Sequence, residues 1–244
     1  MSKPEKVSLE RIYPTLMNPE SAADKDSIEI HESRYQFASQ HLKGKRVLDM
    51  ACGCGYGTYL MAKSHPEKRF TGVDIDPEAI EYANENYALD NLSFIQSDAT
   101  RFSDDAFDSI VSLETIEHLP DLTALFENFK ALSKSSTCII ASVPSTPTCD
   151  GNPHHLHDFS ERSFFRRFER IGFKPHEHFR QTQPWVYDDV FSSDEDSKSR
   201  SKGIGWTLVK YYLRHPLAVF TRVKALLQHG RCNKYITSVF TQKV

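Results

Sequence analysis

The stretch Arg46-Val47-Leu48-Asp49-Met50-Ala51-Cys52-Gly53-Cys54-Gly55-Tyr56-Gly57 runs from an apolar segment straight into a glycine-rich turn, and Thr58-Tyr59-Leu60-Met61-Ala62-Lys63 behind it has helical character. A short apolar run closed by glycines and followed by a helix reads as a buried strand, a tight turn and the helix that returns across the sheet. The alternation then repeats. Residues 70–74 are expected as a strand, 77–87 as a helix with Pro77 at its start, and 92–95 and 107–112 as strands. Leu122, Leu125, Phe126, Phe129 and Leu132 line one helical face, and residues 137–143 form a further strand stopped by Pro144. Strands alternating with helices predict an α/β fold, doubly wound around a parallel sheet.

Outside this rhythm the chain changes character. Residues 1–26 are polar and read as an extension, and a loose apolar face over residues 27–42 reads as a leading helix. The core is expected to span residues 27–184. Residues 185–234 form a polar loop followed by a basic segment, with Lys210, Arg214, Arg222, Lys224, Arg231 and Lys234 but no acid after Gly203. That segment is expected to be helical, broken near Pro216, and to pack on the core or a second subunit as in a homodimer, or to face a phosphate-bearing acceptor or a membrane surface. Residues 235–244 alternate like an edge strand. With 244 residues, a net charge of −3 and 39% hydrophobic residues, the chain gives no overall sign of nucleic-acid binding. No apolar run approaches the ~18 residues of a membrane span, and the first residues hold no apolar leader. The five cysteines lack usual zinc-site spacing, so reduced thiols in a cytoplasmic protein are expected.

A nucleoside pocket needs a turn that lets a ligand approach the backbone, and Gly53, Gly55 and Gly57 provide one. It needs a carboxylate at the end of the next strand for the ribose hydroxyls; Asp74 stands there, about 20 residues on. Asp98 follows the third strand, well placed for adenine. A dinucleotide is the competing ligand, but position 58 is Thr where a third glycine is wanted, and Asp49 would repel a diphosphate.

Residues 47–57 resemble motif I of class I S-adenosylmethionine (SAM) dependent methyltransferases. Gly72-Val73-Asp74-Ile75-Asp76 resembles their ribose-binding motif and Ser97-Asp98-Ala99 their adenine-binding motif. The resemblance covers residues 27–180 in order. It implies a Rossmann-like seven-stranded sheet with helices on both faces and a helical insertion before the last strand. It also implies a SAM site in which Asp49, Ala51, Gly53 and Gly55 lie near the methionine end, Asp74 and Ile75 hold ribose and adenine, and Asp98, Ala99 and Glu114 complete the wall. Ile30-His31-Glu32-Ser33-Arg34-Tyr35 is similar to a subgroup associated with glycan and sugar methylation, where Arg34 and Tyr35 would hold the SAM carboxylate.

After the fourth strand, Glu114, Glu117 and His118 stand at i, i+3 and i+4, so on a helical turn they would share a face. Two carboxylates and an imidazole bind a divalent ion such as Mg²⁺ or Mn²⁺, with a fourth ligand expected from residues 152–159. The pattern is similar to the metal site of small-RNA 2′-O-methyltransferases and to ubiquinone-pathway O-methyltransferases. That resemblance puts the distant ligand at His155, with His157 as the fallback. A divalent ion would make an acceptor hydroxyl more acidic, and His154 or His157 would take its proton. Without a metal, His118 and His155 would serve as an acid/base pair, or Glu117 and His118 would cap a helix opened by Pro120.

The expected function is therefore methyl transfer to a hydroxyl of a sugar- or glycan-type small molecule. RNA ribose or a quinone precursor is the alternative acceptor, though nucleic acid is disfavoured. A SAM-binding scaffold or regulatory subunit is the alternative of another class.

Overall fold

The computed structural model describes residues 13, 22–145, 155–184, 213 and 232–242. Its elements run α1 (Ala22–His41), β1 (Arg46–Met50), α2 (Tyr56–Ser64), β2 (Arg69–Asp74), α3 (Pro77–Asn86), β3 (Leu92–Gln96) and β4 (Phe107–Leu113). There follow a 3₁₀ turn over Ile116–His118, α4 (Leu122–Ala131), β5 (Ser133–Pro144), α5 (Glu161–Arg170), β6 (Phe173–Pro184) and β7 (Cys232–Gln242). The seven strands lie in the order β3-β2-β1-β4-β5-β7-β6. Pairings from β3 to β5 are parallel, and β7 is antiparallel to both of its neighbours. The Rossmann-like sheet read from the sequence is therefore present.

Helices cover both faces, which is why β1, β4 and the second half of β5 are almost continuously buried. Successive residues of β4 show the division. Ile110 packs with Phe126, Phe129, Phe164 and Phe168 from α4 and α5, and Val111 packs with Tyr35, Ala38, Met61 and Ala62 from α1 and α2. Local signals set the helix starts. Asp76 caps α3 by accepting the Glu78 amide at 2.9 Å, with Pro77 next. Asp121 caps α4 through the Ala124 amide at 3.0 Å, so that helix opens at Leu122 and neither Glu117 nor His118 caps it.

Two differences from the sequence reading concern the far end of the sheet. The last strand is no edge: β7 sits between β5 and β6, and Ile236 to Phe240 are buried. The edge is β6, whose sequence FKPHEHFRQTQP is too polar to announce a strand and whose register shifts between Pro175 and His178. The N-terminal extension (apart from residue 13 and the start of α1) and the predicted helical insertion (apart from residue 213) lie outside the described residues. Among described residues, no helix is long and apolar enough to cross a membrane.

Candidate active site

The strand order reverses between β1 and β4, and a ligand crevice is expected at the carboxyl ends of the strands there. A pocket opens at that point. Its wall includes Ala51, Cys52, Gly53 and Cys54 after β1, Asp74 and Ile75 after β2, and Ser97, Asp98 and Ala99 after β3. Leu113, Glu114, Thr115, His118 and Leu119 follow β4, and His31 and Tyr35 close it from α1.

The turn after β1 takes left-handed backbone at Ala51 (φ 61°), Gly53 (φ 57°) and Gly55 (φ 82°). Of its three glycines only Gly53 is on the wall. The others serve packing rather than ligand approach. A Cβ on Gly55 would stand 2.7 Å from the Phe94 ring and from Ala83, and one on Gly57 would run into the Tyr35 ring. The Gly53 amide donates to Asp74 Oδ2 at 2.9 Å, and the Asp76 amide to Asp74 Oδ1 at 3.0 Å. Two backbone donors thus aim the Asp74 carboxylate. Asp98 is fixed likewise: Oδ1 accepts the Thr100 amide at 2.8 Å and its hydroxyl at 2.7 Å, and these bonds hold the carboxyl below its usual range. Ile75, 62% exposed at the pocket, is an apolar surface that a flat ring would cover.

Asp49 is buried and does not reach the wall. Its Oδ2 accepts the Thr58 hydroxyl at 2.6 Å, while Oδ1 has no hydrogen-bond partner among the described residues. Burial pushes its carboxyl up to about 7, against the pull of the Thr58 bond. Arg34, expected on the ligand, is also absent from the wall and is 2% exposed. Its Nε donates to Gln181 Oε1 at 2.8 Å, its guanidinium lies 4.3 Å over the Tyr235 ring, and Nη1 is 3.8 Å from Glu114 Oε2. Tyr35 does face the pocket. So does His31, which the sequence reading passed over; burial and then the Arg34 charge drop its imidazole to about 3, so it is neutral.

At the end of β4 the predicted helical face does not form. Glu114 has φ 50°, and regular winding begins only at Ile116, so Glu114 turns away from the other two. Its Oε1 accepts the Ser142 hydroxyl at 2.6 Å and its amide donates to Ser142 Oγ at 3.0 Å. Glu117, His118 and His155 do converge, with ligand atoms within 4.8 Å of one another. Glu117 is fully buried, its Oε1 3.9 Å from His118 Nε2, and the rings of His118 and His155 stand edge to face at 4.7 Å. Two backbone bonds bring His155 there: the Leu156 and His157 amides donate to the Glu117 carbonyl at 2.8 and 3.2 Å, and Phe159 plugs the core beyond. His157 points elsewhere, its Nε2 2.9 Å from the Leu119 carbonyl, and it is not on the wall. His154 lies outside the described residues. Burial pushes the Cys52 thiol up, well beyond its usual value, and Cys138 to about 11, which favours the thiol over the thiolate at both.

A family model described as methyltransferase domain matches residues 41–174. Juvenile hormone acid O-methyltransferase of Bombyx mori is 27% identical over 175 residues, 60% of this chain and 63% of that protein. Ubiquinone biosynthesis O-methyltransferase of Coxiella burnetii is 34% identical over 116 residues, 43% of this chain and 47% of that protein. The chain thus spans less than two thirds of the length of these curated relatives. Magnesium protoporphyrin IX methyltransferase of Synechocystis, solved with bound S-adenosylhomocysteine, superposes with a TM-score of 0.56 at 17% identity, over 68% of this chain and 83% of that one, a likeness of fold.

Proposed function

This chain belongs to the methyltransferase-domain family, and on that premise we propose that it is a SAM-dependent methyltransferase acting on a hydroxyl of a sugar- or glycan-type small molecule. The observation that carries the reading is a coincidence of groups in one pocket: Asp74 and Asp98 share their wall with the imidazole of His118, behind which Glu117 is buried. SAM supplies a methyl group on a sulfonium, ready for in-line displacement by an oxygen lone pair. Asp74, already aimed by two amides, would accept hydrogen bonds from both ribose hydroxyls. Asp98 Oδ2, which accepts no hydrogen bond from Thr100 and has Arg101 Nε at 4.0 Å, would accept the adenine amino group, and Ile75 would lie against the ring. His118 would take the acceptor's hydroxyl proton as the new C–O bond forms, with Glu117 favouring the resulting imidazolium.

Glu117, His118 and His155 also fit a divalent ion, with one carboxylate and two imidazoles close together. That donor set suits Mn²⁺ better than Mg²⁺, which prefers oxygen. An ion there would acidify a bound hydroxyl, and His118 would then be a ligand rather than the base.

The likeness to a ubiquinone-pathway O-methyltransferase favours a quinone precursor as the second reading of the acceptor. The test is calorimetric titration of SAM and S-adenosylhomocysteine, then transfer of labelled methyl to sugars, nucleotide sugars, catechols, carboxylic acids and RNA. Tight SAM binding with transfer to sugars is expected. Transfer only to catechols would move the assignment to the second reading, and binding with no transfer would favour a scaffold. No binding would sink the proposal.

A further inference from the structure

Arg34 is a guanidinium almost sealed from water on α1, yet it does not touch the pocket. Burying such a charge is costly unless an anion and good hydrogen bonds accompany it. Here Gln181 and the Tyr235 ring hold it from β6 and β7, and Gln181 is itself pinned to α1 by bonds to the Ile30 carbonyl at 3.0 Å and Ser33 Oγ at 2.8 Å. The anion is Glu114, which is on the pocket wall with its side chain 16% exposed. Both oxygens of that carboxylate are steered, Oε1 by Ser142 and Oε2 by Arg34, and its backbone is kept in a left-handed conformation that a non-glycine residue holds only where its surroundings demand it.

We propose that Arg34 is a positioning residue: it never meets the ligand but fixes the Glu114 carboxylate at the end of β4, so that Glu114 receives the ammonium group at the amino-acid end of the cofactor. This rests on the SAM pocket proposed above. An unrestrained glutamate would lose rotamer freedom on binding, whereas one already fixed by Arg34 and Ser142 does not, and the difference appears as affinity.

The test compares two ligands, S-adenosylhomocysteine and 5′-methylthioadenosine, which is neutral and lacks the amino-acid end. Arg34→Met and Glu114→Gln should each weaken S-adenosylhomocysteine about ten-fold, the size of one charge-assisted bond, and leave methylthioadenosine within about two-fold. The double variant should bind no more weakly than Glu114→Gln alone, because Arg34 acts through Glu114. Arg34→Lys, which keeps the charge but loses the planar fork, should recover part of the loss; it is read in place of Arg34→Met if that variant fails to fold. Equal weakening of both ligands, additive losses in the double variant or unchanged S-adenosylhomocysteine binding would overturn the inference alone. Wild-type protein that binds neither ligand would overturn the proposed function, and this inference with it.

Discussion

The amide of Gly53 donates a hydrogen bond to Asp74 Oδ2 at 2.9 Å, joining the turn after β1 to the end of β2. The bond fixes the spacing between the backbone and the carboxylate that would flank a ribose. Asp74→Ala removes both the aim and the acceptor. S-adenosylhomocysteine should then bind ten-fold to a hundred-fold more weakly, at roughly 1.5–3 kcal/mol for a lost charged hydrogen bond. Titration calorimetry checks this, and unchanged affinity would remove Asp74 from the site.

Gly57 is required for packing. Its missing Cβ makes room for the Tyr35 ring, so Gly57→Ala should destabilise the fold by about 1–3 kcal/mol. Tyr35→Leu should absorb part of that cost, making the double variant more stable than the sum of the singles predicts. Chemical denaturation measures both effects, and strict additivity would mean that the ring is not the obstacle.

His31 and Asp49 should make stability respond to acid in opposite senses. His31 falls from 6.5 to about 3 on folding, so its contribution is full above 6.5 and is lost as pH drops towards 3. Asp49 rises from 3.8 to about 7, so its contribution is full below 3.8 and is lost as pH rises towards 7. Between these limits the two offset each other. Asp49→Asn should therefore lose melting temperature on acidification from pH 6.5 to 4.5 faster than wild type, and His31→Gln more slowly. Identical pH slopes in thermal melts of all three proteins would contradict this.

For the cluster of Glu117, His118 and His155, Mn²⁺ should bind the wild-type chain and bind His155→Ala at least ten-fold more weakly, as read by Mn²⁺ spin resonance. Methyl transfer should fall in excess EDTA and return with Mn²⁺. Full activity under EDTA that is lost in His118→Ala would instead leave His118 as a metal-free base.

Signals that arise within a single strand–turn–helix unit were legible in the sequence. The apolar run of β1, the glycines behind it, Asp74 and Asp98 at strand ends and the proline that opens α3 are local, and they predict the parallel sheet and a nucleoside pocket. The helical face expected for Glu114, Glu117 and His118 failed because Ser142, from the neighbouring strand, holds Glu114 in another conformation. The placement of β7 inside the sheet, with β6 at its edge, also depended on pairing that no period-two pattern reveals.

By itself, then, the sequence determined the order of strands and helices from α1 to β5 and the carboxylates at their ends, because hydrophobic period and turn chemistry act over a few residues, while α5 and the polar β6 went unread. Only the tertiary structure decided which of those groups share a wall. It sent Arg34 to Gln181 and Tyr235 instead of the ligand, brought His31 to the pocket and gathered His155 with Glu117 and His118. Those meetings join residues far apart in the chain, and burial, hydrogen bonding and charge compensation settle them only when the sheet has closed.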